Sequence, residues 1–290
     1  MNVLTQVNQY CNQLPYSKTN NHVFHLDLTK YETVEGIQSI LKKLSSVDKI
    51  KITGLNKEGK QELFNEALSK LSNVTFNTFQ CDLSRNQLTA DQFKQINTTL
   101  LSKMPKLTSL DLSYNHIGTE GARAIAQSEH MKHLTSLNLS ENNIGAAGAR
   151  AIANSPHMQN LTSLHLRGNE IGDEGASAIA EHMPNLTSLD LSYNHIGVAG
   201  ARAIAEKLTN LTSLNLSDTN IEDEGATAIA KSPHMQNLTS LDLSDTNIGV
   251  AGARAITEHM PNLTSLVLSY NHIEDEGARA LRGRFPFVTF

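Results

Sequence analysis

Twelve histidines, 29 carboxylates and two cysteines in a chain of 290 residues could supply metal ligation or acid–base chemistry. Their spacing supports neither. His130, His157, His182, His234 and His259 each stand directly before a methionine, at Met131, Met158, Met183, Met235 and Met260. They recur with a pattern of the chain and do not converge on a point. His116, His195 and His272 are held apart by two intervening copies of that pattern, too far to share one metal ion. Cys11 and Cys81 are too few for a zinc site or a disulfide framework, and no histidine is placed to activate either. Cys81 reads as a core residue. The turns Ser217-Asp218-Thr219 and Ser244-Asp245-Thr246 lack the spacing of a calcium loop. No Gly-rich phosphate loop, H-E-x-x-H or G-x-S-x-G occurs. No active site, metal or cofactor is therefore expected. N-x-S/T triplets at Asn138, Asn160, Asn185, Asn210, Asn215, Asn237 and Asn262 read as by-products of repetition, because several fall on or beside strands.

What positions these residues is an internal repeat. The string Leu-Thr-Ser-Leu begins at Leu107, Leu134, Leu161, Leu186, Leu211, Leu238 and Leu263, at spacings of 25 or 27 residues. Each unit reads L-T-S-L-x-L-S-x-N-x-I and continues with G-A-x-A-I. Leu110 and Leu112 alternate as the inward face of a strand requires, which turns Asp111 outward. Asn115 then bends the chain, its amide able to satisfy backbone groups that a short strand leaves free. Ala122, Ile125 and Ala126 lie at i, i+3 and i+4, one face of a helix. Gly121 and the alanines let that helix approach the strand. A strand, a turn and a short helix cannot bury their apolar face alone, so the units must stack.

Seven such copies resemble the leucine-rich repeat, and the G-A-x-A-I-A half is similar to the ribonuclease-inhibitor-like subclass. The resemblance implies an α/β fold: a leucine-rich-repeat solenoid, or horseshoe, with a concave parallel β-sheet and convex helices. Weaker copies extend upstream. Thr78 to Leu83 fits the frame with Cys81 in a leucine slot; Val47, Ile50 and Ile52 fit another, and Val23, Leu26 and Leu28 a third. Ten strands are predicted, opening near residues 23, 47, 78, 107, 134, 161, 186, 211, 238 and 263. The chain reads as a single domain over 1–290. It comprises an N-terminal cap (1–22), degenerate repeats (23–106), seven regular repeats (107–284) and an aromatic C-terminal cap (285–290). In that cap Phe285, Val288 and Phe290 would begin an eleventh strand. Strands stack at about 4.8 Å and helices at about 8–10 Å, a mismatch that bends the array with the sheet inside.

The repeats differ in three ways. The longer ones contain Ser-Pro-His-Met (Ser155–Met158, Ser232–Met235), which lengthens the outer loop. Thr219 and Thr246 replace the turn asparagine, each losing one hydrogen bond worth about 1 kcal/mol. Glu120, Glu174, Glu224 and Glu276 alternate with Ala147, Ala199 and Ala251 before the helix glycine, where an acid favours the helix N-terminus. The alternation suggests growth by two-unit duplication and carries no function in this reading.

No run of 18 apolar residues could span a membrane. The start, MNVLTQVNQYCNQLP, has neither the basic nor the apolar region of a signal peptide. The chain reads as soluble and made in a reducing compartment. Residues 1–106 carry 13 of 24 basic and 9 of 29 acidic side chains, a net +4, which leaves −9 for residues 107–290. Nucleic acid is not an expected partner, since phosphate binding needs a basic stripe. The acidic part suits a basic or protruding protein surface.

Function is then expected where the frame is fixed and the residue varies. The site between the paired leucines reads Asp82, Asp111, Asn138, His165, Asp190, Asn215, Asp242 and Val267. The site before the turn residue reads Arg85, Tyr114, Glu141, Gly168, Tyr193, Asp218, Asp245 and Tyr270, and Arg167 adds a base at mid-array. Both rows are expected to point outward from the concave sheet. Tyrosine is a favoured interface anchor, although copying of Ser-Tyr-Asn-His would also retain it.

The near-perfect Asn/Ser/Thr-rich array, with no attached domain, further resembles the leucine-rich-repeat effectors of intracellular bacteria, Legionella among them. That resemblance implies passage from a bacterial cytoplasm into a host cytoplasm without a classical signal peptide. Glu274-Asp275-Glu276 followed by FPFVTF is similar to acidic-then-apolar translocation signals. It implies a non-catalytic module, monomeric by itself, that binds and inhibits a partner enzyme, another effector included, by covering its active site. The alternative is an adaptor that captures a host protein without inhibiting it. A third reading is a hydrolase using His165 and Asp190.

Overall fold

A computed structural model describes residues 23–43, 47–71 and 74–290. The N-terminal cap expected over 1–22, with Cys11, lies outside the described residues. Ten strands form one parallel sheet in chain order. They are β1 Val23–Asp27, β2 Lys49–Thr53, β3 Gln80–Asp82, β4 Ser109–Asp111, β5 Ser136–Asn138, β6 Ser163–His165, β7 Ser188–Asp190, β8 Ser213–Asn215, β9 Ser240–Asp242 and β10 Ser265–Val267. A helix follows each strand: α1 Val34–Lys43, α2 Lys60–Ser69, α3 Ala90–Thr99, α4 Gly118–Gln127, α5 Gly145–Ala153, α6 Gly172–His182, α7 Val198–Lys207, α8 Glu222–Lys231, α9 Val250–His259 and α10 Glu274–Arg284. The strand count is the predicted one. The regular strands open two residues later than expected because Leu107 N–H still closes a turn onto Met104 O, at 3.1 Å.

The register keeps like on like. Leu110, Leu137, Leu164, Leu189, Leu214, Leu241 and Leu266 form one row, each paired with the next. Behind the row lie the buried isoleucines and alanines of the helices and the buried Met131, Met158, Met183, Met235 and Met260. Helices approach closely along a Gly–Ala seam: a Cβ on Gly175 would stand 3.2 Å from Ala149 Cβ and 2.5 Å from Ile171 Cγ2. The extra residues of the longer repeats stay behind the sheet. There Ser155 and Ser232 donate to Ala126 O and Ala205 O and accept from His157 and His234 N–H.

The turn asparagines tie the repeats together. Asn169, fully buried, donates from Nδ2 to Leu139 O (2.8 Å), Leu166 O (3.0 Å) and Arg167 O (3.0 Å). Its Oδ1 accepts from Asn142 N (3.1 Å) and Ile144 N (3.2 Å) of the preceding repeat. Asn86, Asn115, Asn142, Asn194 and Asn271 repeat the pattern. Thr219 makes one side-chain bond, to Leu216 O, and Ile196 N–H turns back to Asn194 O instead. Thr246 donates to Leu243 O at 2.6 Å. Each threonine thus forfeits several bonds, more than the single one expected from sequence.

The alternation of Glu and Ala acquires a role. Arg150, Arg202 and Arg254, in the alanine-type helices, reach Glu174, Glu224 and Glu276 of the next helix. Asp173 Oδ1 accepts from Gly197 N (2.7 Å) and Gly200 N (2.8 Å), capping α7 from the neighbouring repeat. Asp223 caps α9 in the same way through Gly249 N and Gly252 N. Each repeat type therefore hands a partner forward to the other. The exposed ion pairs contribute little; the caps are the stronger term.

At the C-terminal end Phe285 is buried and Val288 packs against the core. Thr289 adds one parallel bridge to Val267, with Leu268 N to Thr289 O at 2.8 Å. The eleventh rung is thus a single bridge. Phe290 does not enter the core; it is exposed, with Arg282 over its ring at 4.9 Å.

Asn169→Ala strands two buried N–H groups and three carbonyls, so urea unfolding should show a loss of at least about 3 kcal/mol. Thr219→Asn restores a link and should gain about 1 kcal/mol; an unshifted midpoint in both variants would remove the asparagines from this role. Asp223→Ala should lower stability by about 0.5–2 kcal/mol, whereas Glu224→Ala should change it by less than about 0.5 kcal/mol. Equal losses in the two would contradict the cross-repeat cap.

Candidate protein-binding surface

The two variable rows occupy different ground. The first lies on the strands, where an Asp or Asn side chain has a structural duty. Asp111 Oδ1 accepts Ser113 N at 2.8 Å, and Asp82, Asn138, Asp190, Asn215 and Asp242 do the same two residues on. This Asx turn steers the chain off the sheet. The second row lies past the strand ends, contrary to the expectation that both rows sit on strands. It is in the left-handed region throughout: Arg85 (φ 58°), Tyr114 (56°), Glu141 (57°), Gly168 (63°), Tyr193 (54°), Asp218 (53°), Asp245 (49°) and Tyr270 (61°). Six of the eight follow an Asx turn, and Gly168 and Tyr270 take the same form without one; the row lines the C-terminal edge of the sheet.

Two repeats break the rule, at His165 and at Val267, and the first lies at the centre of the array. His165-Leu166-Arg167-Gly168 has neither the Asp acceptor nor the Ser donor, and glycine takes the left-handed position without strain. A Cβ on Gly168 would fall 2.7 Å from Glu141 Oε1, so glycine also leaves room for that carboxylate. Glu141 thereby comes within 3.7 Å of Arg167 Nε, and Arg167 Cζ stacks 3.6 Å above the Tyr193 ring. Beside them His165 Nε2 lies 3.1 Å from Ser163 Oγ, and Nδ1 lies 3.9 Å from Asp190 Oδ2. Glu141, His165, Arg167, Asp190 and Tyr193 thus form one patch at the centre of the array. Asp111, Asn138, Asn215 and Asp242 flank it on the sheet; Asp218, Asp245 and Tyr270 stand apart toward the C-terminal end. Arg85 stacks 4.1 Å above Tyr114 toward the other end.

Sequence reasoning missed Ser163, and it missed Lys51, which pairs with Asp82 at 2.6 Å on the same face. It also missed the Arg–Tyr stacks. The signal for one was present, since Arg85 and Tyr114 are successive members of one row.

Burial pushes the Asp190 carboxyl up, but the facing His165 and two hydrogen bonds from Ser192 outweigh it. They hold the group below the ordinary value of 3.8. Asp82 is likewise lowered: burial raises it, and Lys51 and Ser84 more than compensate. Burial drives the Cys81 thiol far above its ordinary range, so it offers no thiolate.

Ser163, His165 and Asp190 have the residue types of an acyl-transfer triad. The surrounding backbone does not serve that chemistry. Ser163 N and Ser188 N are committed to Thr135 O (3.0 Å) and Thr162 O (3.0 Å), which leaves no oxyanion donors there. Among the described residues no three His, Cys, Asp or Glu side chains could hold a metal ion. No helix among them is long and apolar enough to cross a membrane. An open depression of about 570 Å³ lies at the opposite edge of the sheet, lined by Asn160, Thr162, Asn185 and Asn210. Those asparagines already donate to carbonyls of the preceding repeat. The arrangement presents charge and aromatic surface, and it does not enclose a substrate.

A single parallel sheet backed by one layer of helices, repeating every 25 or 27 residues, defines a solenoid scaffold. The leucine-rich-repeat profile matches residues 103–126, 130–153, 157–180, 234–256 and 259–281, and a profile of two such repeats matches 184–229. These segments cover more than half of the chain, which belongs to the leucine-rich-repeat proteins. Leucine-rich-repeat domains generally mediate protein–protein binding and are typically non-catalytic scaffolds. No curated protein matches the chain. Among solved structures it is similar to the TLR13–ssRNA13 complex, at 19% identity and a TM-score of 0.54, over 87% of this chain and 36% of that one. A plant ice-binding protein gives 19% identity and a TM-score of 0.47, over 73% of this chain and 60% of that one. Internalin C2 from Listeria monocytogenes gives 23% and 0.47, over 70% and 84%. At these identities the likeness is one of fold.

Asp190 is lowered in the folded chain. Its ionised form therefore stabilises the fold above about pH 3.8, and that contribution disappears as pH falls through the folded value. Asp190→Asn keeps the turn, as Asn138 and Asn215 do. The parent should exceed this variant in urea midpoint at about pH 6, and the gap should narrow as pH is lowered below about 3.8; a gap that stays constant into acid would mean that charge is not the cause.

Proposed function

We propose that the chain is a non-catalytic binding module that covers the active-site entrance of a partner enzyme with its concave side and inhibits it. The observation carrying this reading is the central patch. The repeat of His165 departs from the Asx rule, and there Arg167 meets Glu141 and Tyr193 beside His165 and Asp190. Tyrosine and arginine are favoured interface anchors, and side chains already in contact lose less entropy on docking than free ones. A parallel sheet of ten strands offers area for a globular partner. The TLR13 structure is a complex with single-stranded RNA. In this chain the net −9 of residues 107–290 opposes phosphate and favours a basic protein surface.

The ribonuclease-inhibitor-like repeat and the Legionella-type array support a further part of the proposal: a bacterial effector acting on a host enzyme or on another effector, in the host cytoplasm. An adaptor that holds its partner without inhibiting it is the alternative.

Affinity capture from host-cell lysate supplies the partner. Tyr193→Ala and Arg167→Ala should each weaken it about tenfold or more, with the thermal midpoint unchanged. Undiminished affinity in a Tyr114→Ala, Arg167→Ala, Tyr193→Ala triple variant would overturn the concave assignment. Enzymatic activity of the captured partner, with and without the chain, separates inhibitor from adaptor.

A further inference from the structure

The central patch has an incomplete counterpart. Across three successive repeats Glu141, Arg167 and Tyr193 form a carboxylate, a guanidinium and a ring, at 3.7 Å and 3.6 Å. Arg85 over Tyr114 is a second guanidinium–ring pair, again supplied by the repeat before the tyrosine. The third tyrosine of the row, Tyr270, stands after Asp218 and Asp245, where a carboxylate occupies the place of the base. The residue is 86% exposed, against 43% for Tyr114 and 48% for Tyr193. Its backbone, at φ 61°, has the same left-handed form, so the ring projects from an equivalent point. Neither Asp218 nor Asp245 has an ion pair or side-chain hydrogen bond among the described residues. Both line an open depression of about 430 Å³.

We propose that Asp218, Asp245 and Tyr270 receive an arginine side chain of the partner protein, which stacks on Tyr270 and pairs with the two carboxylates. This specifies the partner chemistry of the concave-side reading above and rests on it. Arginine fits better than lysine because a planar guanidinium can stack on a ring and donate to carboxylates at once. The chain itself shows that geometry at Arg167.

The test uses the full chain labelled with 3-fluorotyrosine and titrated with acetyl-tetraarginine amide and acetyl-tetralysine amide. Single Tyr→Phe variants assign the resonances. The Tyr270 signal should shift saturably, with tetraarginine binding about two- to fivefold tighter than tetralysine. Tyr114 and Tyr193, already stacked, should not move. Asp245→Arg supplies the guanidinium from within the chain and should abolish the shift. A Tyr270 signal unmoved by tetraarginine, equal affinity for the two peptides, or a shift that survives Asp245→Arg would each overturn the proposal. Because the probe is a peptide, those results are independent of whether Tyr193→Ala weakens the captured partner, and the two readings can fail separately.

Discussion

The buried asparagine amide is the interaction on which the array depends. It faces both ways, donating to carbonyls of its own and the preceding turn and accepting from backbone N–H groups one repeat back. Strand pairing alone joins neighbours through only three residues, as in Ser136↔Ser163 to Asn138↔His165. The amide adds to that junction past the strand end, where backbone bonds such as Leu139 N to His165 O and Glu141 N to Arg167 O also join the repeats. Together with the row's own backbone bonds, such as Tyr114 N to Ser140 O, it holds the residues just before it in the Arg85–Tyr270 row. Stability in such arrays is a sum of unit and nearest-neighbour terms. The ladder therefore sets how stiff each part of the binding edge is. It runs unbroken from Asn86 to Asn194 under both Arg–Tyr stacks, and it is interrupted at Thr219 and Thr246, under the open carboxylates Asp218 and Asp245.

The Asx turn adds a second constraint that separates charge from shape. Asn138 and Asn215 turn the chain as well as Asp111 or Asp190 does, since each needs only one acceptor oxygen. Asparagine would suffice throughout, so the fold does not dictate where aspartate stands. The second carboxylate oxygen is what the choice of Asp supplies to the concave side. His165 is the informative exception: it forgoes the turn bond, and Gly168 compensates by adopting the left-handed form without a side chain. That exchange frees two positions for polar contacts across the strands.

Much of this was legible in the sequence, because the period of two in Leu110–Leu112 and the helical spacing of Ala122, Ile125 and Ala126 are local signals. The strand count, the buried methionines and the repeat frame followed from them. What was hidden depends on register between repeats. Arg150 and Glu174 are 24 residues apart and meet only once the units stack. Asp173 looks like an acid at its own helix start, and its bonds go to the next one. The tyrosine row was placed on the strands because alternation predicts outward side chains, and a left-handed residue has no signature in alternation. Aspartate in the first row read as charge for a partner when half of each carboxylate already closes a turn.

These features give the concave side a polarity along its length. Lys51 and Arg85 stand at one end, Arg167 lies between Glu141 and Asp190 at the centre, and Asp218, Asp242 and Asp245 stand at the other. A partner with a uniform basic surface gains little at the first end and most at the last. One with a complementary gradient is held in a single direction along the arc. Charge arranged in this way fixes orientation and encounter rate more than affinity. Affinity then falls to the aromatic centre, where Arg167 lies between Glu141 and Tyr193. A ligand that docks there meets a guanidinium already desolvated on one face by the ring beneath it.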